Sequence, residues 1–231
     1  VPRSVDPQIF LREMSNLAGV QQVSLTNALP GRPGWQGQWA YAEDQGENAE
    51  QVDTEYMAID ENYLQTLGIT LLAGRNFDPT RQSDVDDGLI INETTVRAMG
   101  WVTPENAIGK RITSPSSSPA GEVIGVVKDY HGLGLQQQIW PKAMDYAPGR
   151  SRYAAVRFVT GNTSELMQES KEIWKQVFGD YTLEYFFLNE EFNKQYQNEE
   201  RLTKVFVLFA VLTVVIAVIG LLGLVSFMVV S

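Results

Sequence analysis

The last 27 residues, Val205 to Ser231, carry no charged side chain. The chain before them is acidic, with a formal net charge of −10 and a pI near 4.6 for the whole sequence. A helix of the tail's length rises about 40 Å at 1.5 Å per residue, more than the ~30 Å hydrocarbon core of a bilayer, so 205–231 is predicted to be a transmembrane helix. The alternative is a buried core helix, but such helices seldom run past about 14 apolar residues. A signal peptide would sit at the other end of the chain. Arg201 and Lys204 beside the apolar run are accompanied by Glu199 and Glu200, so the flanking charges assign no orientation.

Residues 1–204 read as water-soluble. Their acidity repels phosphate backbones, which argues against nucleic acid as a partner. The absence of cysteine removes disulfide frameworks, thiolate catalysis and Cys-based zinc or iron–sulfur centres, and leaves the compartment open.

Along the chain, Asp6 and Pro7 open a helix with the apolar face Ile9, Phe10, Met14 and Leu17, stopped by Gly19. Val20–Leu25 alternates as a strand. The Pro30–Trp35 passage and the acidic stretch through Glu43, Asp44, Glu47 and Glu50 read as a long loop. Val52–Ile59 is a second strand, and Asp60 caps a short helix that ends at Gly68.

The middle of the chain has short strand-like runs at 69–72, 88–91, 111–113 and 122–127, a small helix near 94–99, and a Ser/Pro turn at 114–119. A β-α-β pattern then follows: Tyr153–Val159, a helix with capping-box spacing between Asn162 and Glu165 and the face Leu166, Ile173, Trp174 and Val177, and Tyr181–Leu188. No Gly or Pro interrupts 189–219, so a stalk helix can run straight into the apolar tail.

The expected fold class is therefore α+β. A porter-like β-α-β subdomain is split into 1–68 and 151–188 around an inserted, mainly β subdomain at 69–150. A stalk helix at 189–204 continues into the transmembrane helix at 205–231.

Several stretches carry a family resemblance. Tyr63-Leu64-Gln65-Thr66-Leu67-Gly68-Ile69 followed by Leu71-Leu72-Ala73-Gly74-Arg75-Asn76-Phe77 resembles a Y-x-x-x-L-G-I-x-L-L-x-G-R-x-F signature. Ile90-Ile91-Asn92-Glu93, Ala107-Ile108-Gly109-Lys110 and the run from Val123 to His131 resemble I-I-N-E, A-I-G-K and V-I-G-V-V-x-D-F-H in the same order. Pro30-Gly31 and Gly220-Leu221-Leu222-Gly223-Leu224 also fit. Together they resemble the MacB-like periplasmic core domain of ABC transporter permeases, with the opening of an FtsX-like membrane region.

That resemblance implies an inner-membrane permease subunit of a bacterium, with residues 1–204 largely periplasmic. It implies partners as well: a cytoplasmic ABC ATPase, a second permease in a homodimer or heterodimer, a periplasmic adaptor or substrate protein, and membrane lipid. In such proteins ATP-driven motion passes through stalk helices to the outer domains. No Walker A sequence occurs here: Ala107-Ile108-Gly109-Lys110 lacks the first Gly and is followed by Arg111, so ATP hydrolysis is expected in a partner and the subunit itself is expected to be non-catalytic.

Other constellations point less sharply to chemistry, and no catalytic, cofactor-binding or metal-binding residue is assigned. His131, the only histidine, has Asp129 two residues away but also flanking glycines that suit a turn. Asp84, Asp86 and Asp87 lack EF-hand spacing and read as a solvated acidic turn. Glu190, Glu191, Glu199 and Glu200 precede the apolar run and read as the wet face of the stalk. Trp35 and Trp39, in a glycine-rich passage, could meet a partner protein, a lipid or a hydrophobic substrate, with packing as the alternative. Trp174 has core spacing. Gly220 and Gly223 are three apart, not the four of a membrane-helix dimer motif. Besides the permease, an extracytoplasmic ligand-sensing domain of a membrane-anchored receptor fits the same layout.

Overall fold

The computed structural model describes residues 7–32, 35–114, 120–131, 138–159, 161 and 163–188, with ten positions of the apolar tail between 206 and 228. The chain forms two compact units, 1–185 and 186–231. The expected stalk at 189–204 lies outside the described residues, as does most of 205–231. The described tail positions are helical and exposed, and Thr213 Oγ1 donates to the Phe209 carbonyl at 2.8 Å, one turn back. Among the described residues no helix is long and apolar enough to cross a membrane.

The first unit is α+β, as expected. In chain order its elements are α1 (Pro7–Ser15), β1 (Val20–Thr26), β2 (Trp35–Ala42), a 3₁₀ segment (Glu43–Asn48), β3 (Val52–Ile59), α2 (Tyr63–Leu67), β4 (Leu71–Gly74) and α3 (Gln82–Asp87). After these come β5 (Gly88–Asn92), α4 (Glu93–Ala98), α5 (Pro104–Ala107), β6 (Arg111–Thr113), β7 (Gly121–Val127), β8 (Lys142–Tyr146), β9 (Tyr153–Phe158) and α6 (Thr163–Phe178).

Nine strands share one sheet, and part of it closes on itself. The path β2-β6-β7-β5-β8-β3 returns to its start because β2 also pairs with β3, through Gln38↔Thr54 and Trp39↔Asp53. Residues of all six strands point into this ring, alternating except across a register shift in β7: Ala40, Ala42, Tyr56, Leu89, Ile91, Ile112, Val123, Val126 and Ala143, with Met99, Trp101 and Ala107 joining them from the α4–α5 region. The opposite faces of β3, β5, β7 and β8 pack outside the ring with Tyr63, Leu64 and Phe77, as the period of two requires.

β3 also joins this ring to a second structure. Along one edge it meets β2 first and then, at Ile59, meets β1, which pairs antiparallel with β9. Asp60 fastens the joint: its carboxylate accepts hydrogen bonds from Ser24 Oγ at 2.6 Å, Leu25 N at 2.6 Å and Asn62 N at 3.1 Å. Helices α1 and α6 lie on β1 and β9 and bury Phe10, Met14, Val23, Trp174 and Phe178. Phe10 meets Trp174 edge-on at 5.4 Å, and the Trp174 and Phe178 ring centres are 4.4 Å apart.

Five expectations change. The stretch read as a long loop contains β2, whose alanines face inward and whose Trp39 faces out, so its hydrophobic bulk marks the wrong side for a strand read by periodicity. β8 was not anticipated, because it opens on a buried Lys142 and only Ala143 and Met144 separate that charge from Asp145. Tyr181–Leu188 forms no strand: alternation specifies a face without supplying a ladder partner, and the Tyr181 carbonyl instead accepts from Trp174 Nε1 at 2.7 Å. The cap position of α2 is Asn62, not Asp60, and its side chain makes no cap bond. The acidic turn at 84–87 is the end of α3. Asp6 and Asn162, expected as caps, lie outside the described residues.

Candidate functional site

The motif residues that are distant in sequence converge at one end of β5, β7 and β8. Asn92 closes β5 and caps α4: its Oδ1 accepts from Thr95 N at 3.1 Å, Thr95 Oγ1 at 2.7 Å and Lys142 N at 3.0 Å, and its Nδ2 donates to the Trp140 carbonyl at 3.0 Å. Glu93 accepts the Asp129 amide at 2.9 Å. The Asp129 carboxylate in turn accepts from Thr94 N and Thr94 Oγ1, both at 2.9 Å, and from Arg97 Nη2 at 2.6 Å. The Ile90–Glu93 motif and the Val123–His131 motif are therefore two sides of one polar strap. A carboxylate so occupied is a fastening for α4 and orients no histidine.

Beneath the strap lies a buried ion pair. Lys142 on β8 and Glu55 on β3 are register partners in a parallel ladder; their side chains are 4% and 3% exposed and bonded to each other. The Tyr130 ring stands 5.5 Å from Lys142 Nζ, and its hydroxyl donates to Met57 Sδ at 3.6 Å. Burial, reinforced by the Glu55 charge, pushes the Tyr130 phenol far above its ordinary value. Burial does the same for Tyr63 on α2. A charge pair in so dry a place is strongly coupled, and removing either partner strands the other.

The Leu71–Phe77 motif closes the opposite side. Gly74 has φ of +73°, and a Cβ there would stand 2.2 Å from the Ile124 carbonyl oxygen; a Cβ at Gly125 would stand 2.4 Å from the Arg75 carbonyl oxygen. The two backbones can approach this closely only without side chains. Arg75 forks onto Asp84, whose side chain is 1% exposed, with one contact at 2.7 Å. The Arg75 guanidinium holds the Asp84 carboxyl below its usual range.

The sequence candidates fall as follows. His131 follows the strap; its Nδ1 is buried and has no hydrogen-bond partner among the described residues. Asp84 is an ion-pair partner of Arg75, not a solvated turn residue, while Asp87 pairs with Arg111 at 2.6 Å. Trp174 is in the core as expected, and Trp39 is half exposed. The side chain of Trp35 and residues Glu190, Glu191, Glu199, Glu200 and Gly223 lie outside the described residues. Among the described residues no group of three or more acidic or histidine side chains could hold a metal. Sequence reading missed the Glu55–Lys142 pair, because each of its strands carries a second charge, Asp53 in β3 and Asp145 in β8, and nothing in the sequence says which two are buried together.

What this arrangement does is fix geometry: the motifs tie α4, β3, β5, β7 and β8 together by hydrogen bonds and a buried ion pair. Residues 5–172 match the MacB-like periplasmic core domain. The chain belongs to that family. Its fold is similar to the periplasmic region of MacB from Actinobacillus actinomycetemcomitans, with a TM-score of 0.52 and 17% identity over 74% of this chain and 73% of that one. It is also similar to the extracellular domain of the noncanonic ABC-type transporter YknZ from Gram-positive bacteria, with a TM-score of 0.54 and 16% identity over 78% of this chain and 87% of that one. Comparison with curated proteins finds no match. In this MacB-like domain the family motifs are the joints of the scaffold.

Proposed function

We propose that the chain is the outer domain, stalk and second transmembrane helix of a permease subunit in a MacB-type ABC transporter. It transmits motion driven by a partner ATPase to export or envelope work outside the inner membrane. The observation that carries this reading is the family match over residues 5–172. Two features support it. The apolar tail is helical and exposed at each described position, which suits lipid contact. The motif residues serve rigidity, the property a force-transmitting domain needs. The ATPase, a second permease copy and an adaptor or substrate protein are the proposed partners. The division into 1–68, 69–150 and 151–188 is proposed as the functional partition, with β3 as its seam.

The test is affinity purification of the intact protein from membranes. The expected result is a copurifying ABC ATPase whose turnover depends on this subunit. Copurification of a signalling kinase or chemotaxis protein, with no ATPase, overturns the reading in favour of a ligand sensor.

A further inference from the structure

One surface is left once the motifs have been placed. Between Arg32 and Arg75 the sequence has eight Asp and Glu residues and no Lys or Arg. Three of those acids are neutralised from elsewhere: Asp44 by Lys110 at 2.7 Å, Glu43 by Arg111 at 3.2 Å, and Glu55 by Lys142. Asp53 and Glu50 have no cationic partner among the described residues. Asp53 Oδ1 is buried and has no hydrogen-bond donor among the described residues, an arrangement that folded proteins rarely leave unanswered.

Directly across the β2–β3 ladder from Asp53 stands Trp39, which is 50% exposed. Cross-strand partners share a face with their Cβ atoms about 5 Å apart. Ala40 and Ala42 face the interior, so Trp39 faces out. An uncovered indole attracts a cation to its ring face, and a carboxylate beside it supplies the matching charge. A guanidinium suits both at once, stacking on the ring while an N–H donates to the carboxylate.

We infer that the outer face of the β2–β3 hairpin, centred on Trp39 and Asp53, docks a cationic segment of a protein partner, an Arg- or Lys-bearing loop. The net charge of −10 draws such a segment in from a distance, and the Trp39–Asp53 pair fixes where it lands. This goes beyond the permease reading and does not depend on it.

The test uses the full chain in detergent micelles and two dye-labelled peptide probes, one alternating Arg and Gly and one alternating Glu and Gly, followed by fluorescence anisotropy near physiological salt. The Arg peptide is expected to bind and the Glu peptide not to. Trp39→Ala and Asp53→Asn should each weaken binding by about tenfold, a usual size for a cation–π or charged contact. Trp39→Phe, which keeps a ring, should retain most of the affinity, and Glu172→Gln on the distant face of α6 should leave it unchanged. Equal weakening by Glu172→Gln and Asp53→Asn would mean that net charge alone is sensed and would overturn the inference. Unchanged binding to Trp39→Ala, or no binding of the Arg peptide to the wild-type chain, overturns it as well. Because Asp53→Asn keeps the shape of the side chain and Trp39 is exposed, unchanged thermal unfolding of both variants separates lost docking from lost fold.

Discussion

The ring of six strands and the α1–α6 layer on β1 and β9 solve the same packing problem by different means. The ring interior is lined by side chains from each strand, from Ala40 to Tyr56, its strands β3 and β8 are bridged by a buried ion pair, and β4 meets its strand β7 at glycines that admit no Cβ. The helical layer is filled by three aromatic rings and two strands' worth of aliphatic side chains. The first is specified by backbone approach and register, the second by bulk. One consequence is that single substitutions in the ring find no slack, whereas the layer can repack around a lost atom.

The largest test of that contrast is Lys142→Met. It strands Glu55 among apolar groups and should cost about 3–5 kcal/mol in urea denaturation. The double variant Glu55→Leu with Lys142→Met should recover most of that loss, since a well-packed apolar pair replaces a buried ion pair with little penalty. If the single variant unfolds at the wild-type midpoint, the ring is not held by its charges.

Two glycines of positive φ make a matched pair. Gly74→Ala, where β4 lies against the ring strand β7, meets the Ile124 carbonyl at 2.2 Å as well as backbone strain, and should cost about 3 kcal/mol. Gly19→Ala, between α1 and β1, has φ of +87° but open space around it, so only the strain applies, about 1 kcal/mol. Equal losses in thermal unfolding would erase the distinction between the two regions.

Acid should separate the ring from the joint. Asp84 has its carboxyl held low by Arg75 in the folded state, so its contribution is full above the unfolded value near 4 and vanishes as the pH falls through the folded one. Asp60 runs the other way: burial raises it despite the bonds from Ser24 and Leu25. Its ionised form therefore weighs against folding at neutral pH, and protonation through the raised value relieves that penalty. Asp84→Asn should flatten the loss of stability below about pH 4, and Asp60→Asn should not. Urea midpoints measured across that range check both.

The smallest effects belong to the layer and to the ring's outer wall. Trp174→Phe keeps most of the aromatic packing and deletes the bond to the Tyr181 carbonyl, for about 1 kcal/mol. Trp39→Ala should change stability by less than about 0.5 kcal/mol. A large loss at Trp39 would show that its ring supports the wall rather than facing outward.

The layer was the more legible region in sequence. Phe10, Met14, Leu166, Ile173 and Trp174 recur at helical spacing, and both helices lie where that spacing puts them. β3, β5, β6, β7 and β9 were also readable, because apolar residues marked their buried faces. The ring's remaining strands were not. In β2 the alanines carry the core face and Trp39 points away, and in β8 a charged residue occupies a core position whose partner is 87 residues distant. The Arg75–Asp84 clamp was hidden although its partners are nine residues apart: a run of acids looks solvated until the cation that faces one of them is placed. The motif glycines were visible, but their meaning lay in two backbones meeting across space.

β3 gives its first residues to one neighbour and its last to another, with Tyr56 turned inward and Met57 outward. A slip of one residue would exchange those two side chains across the wall, so the strand has one register that suits both of its faces. A change to that register would be felt at the ring interior and at the β1 joint together.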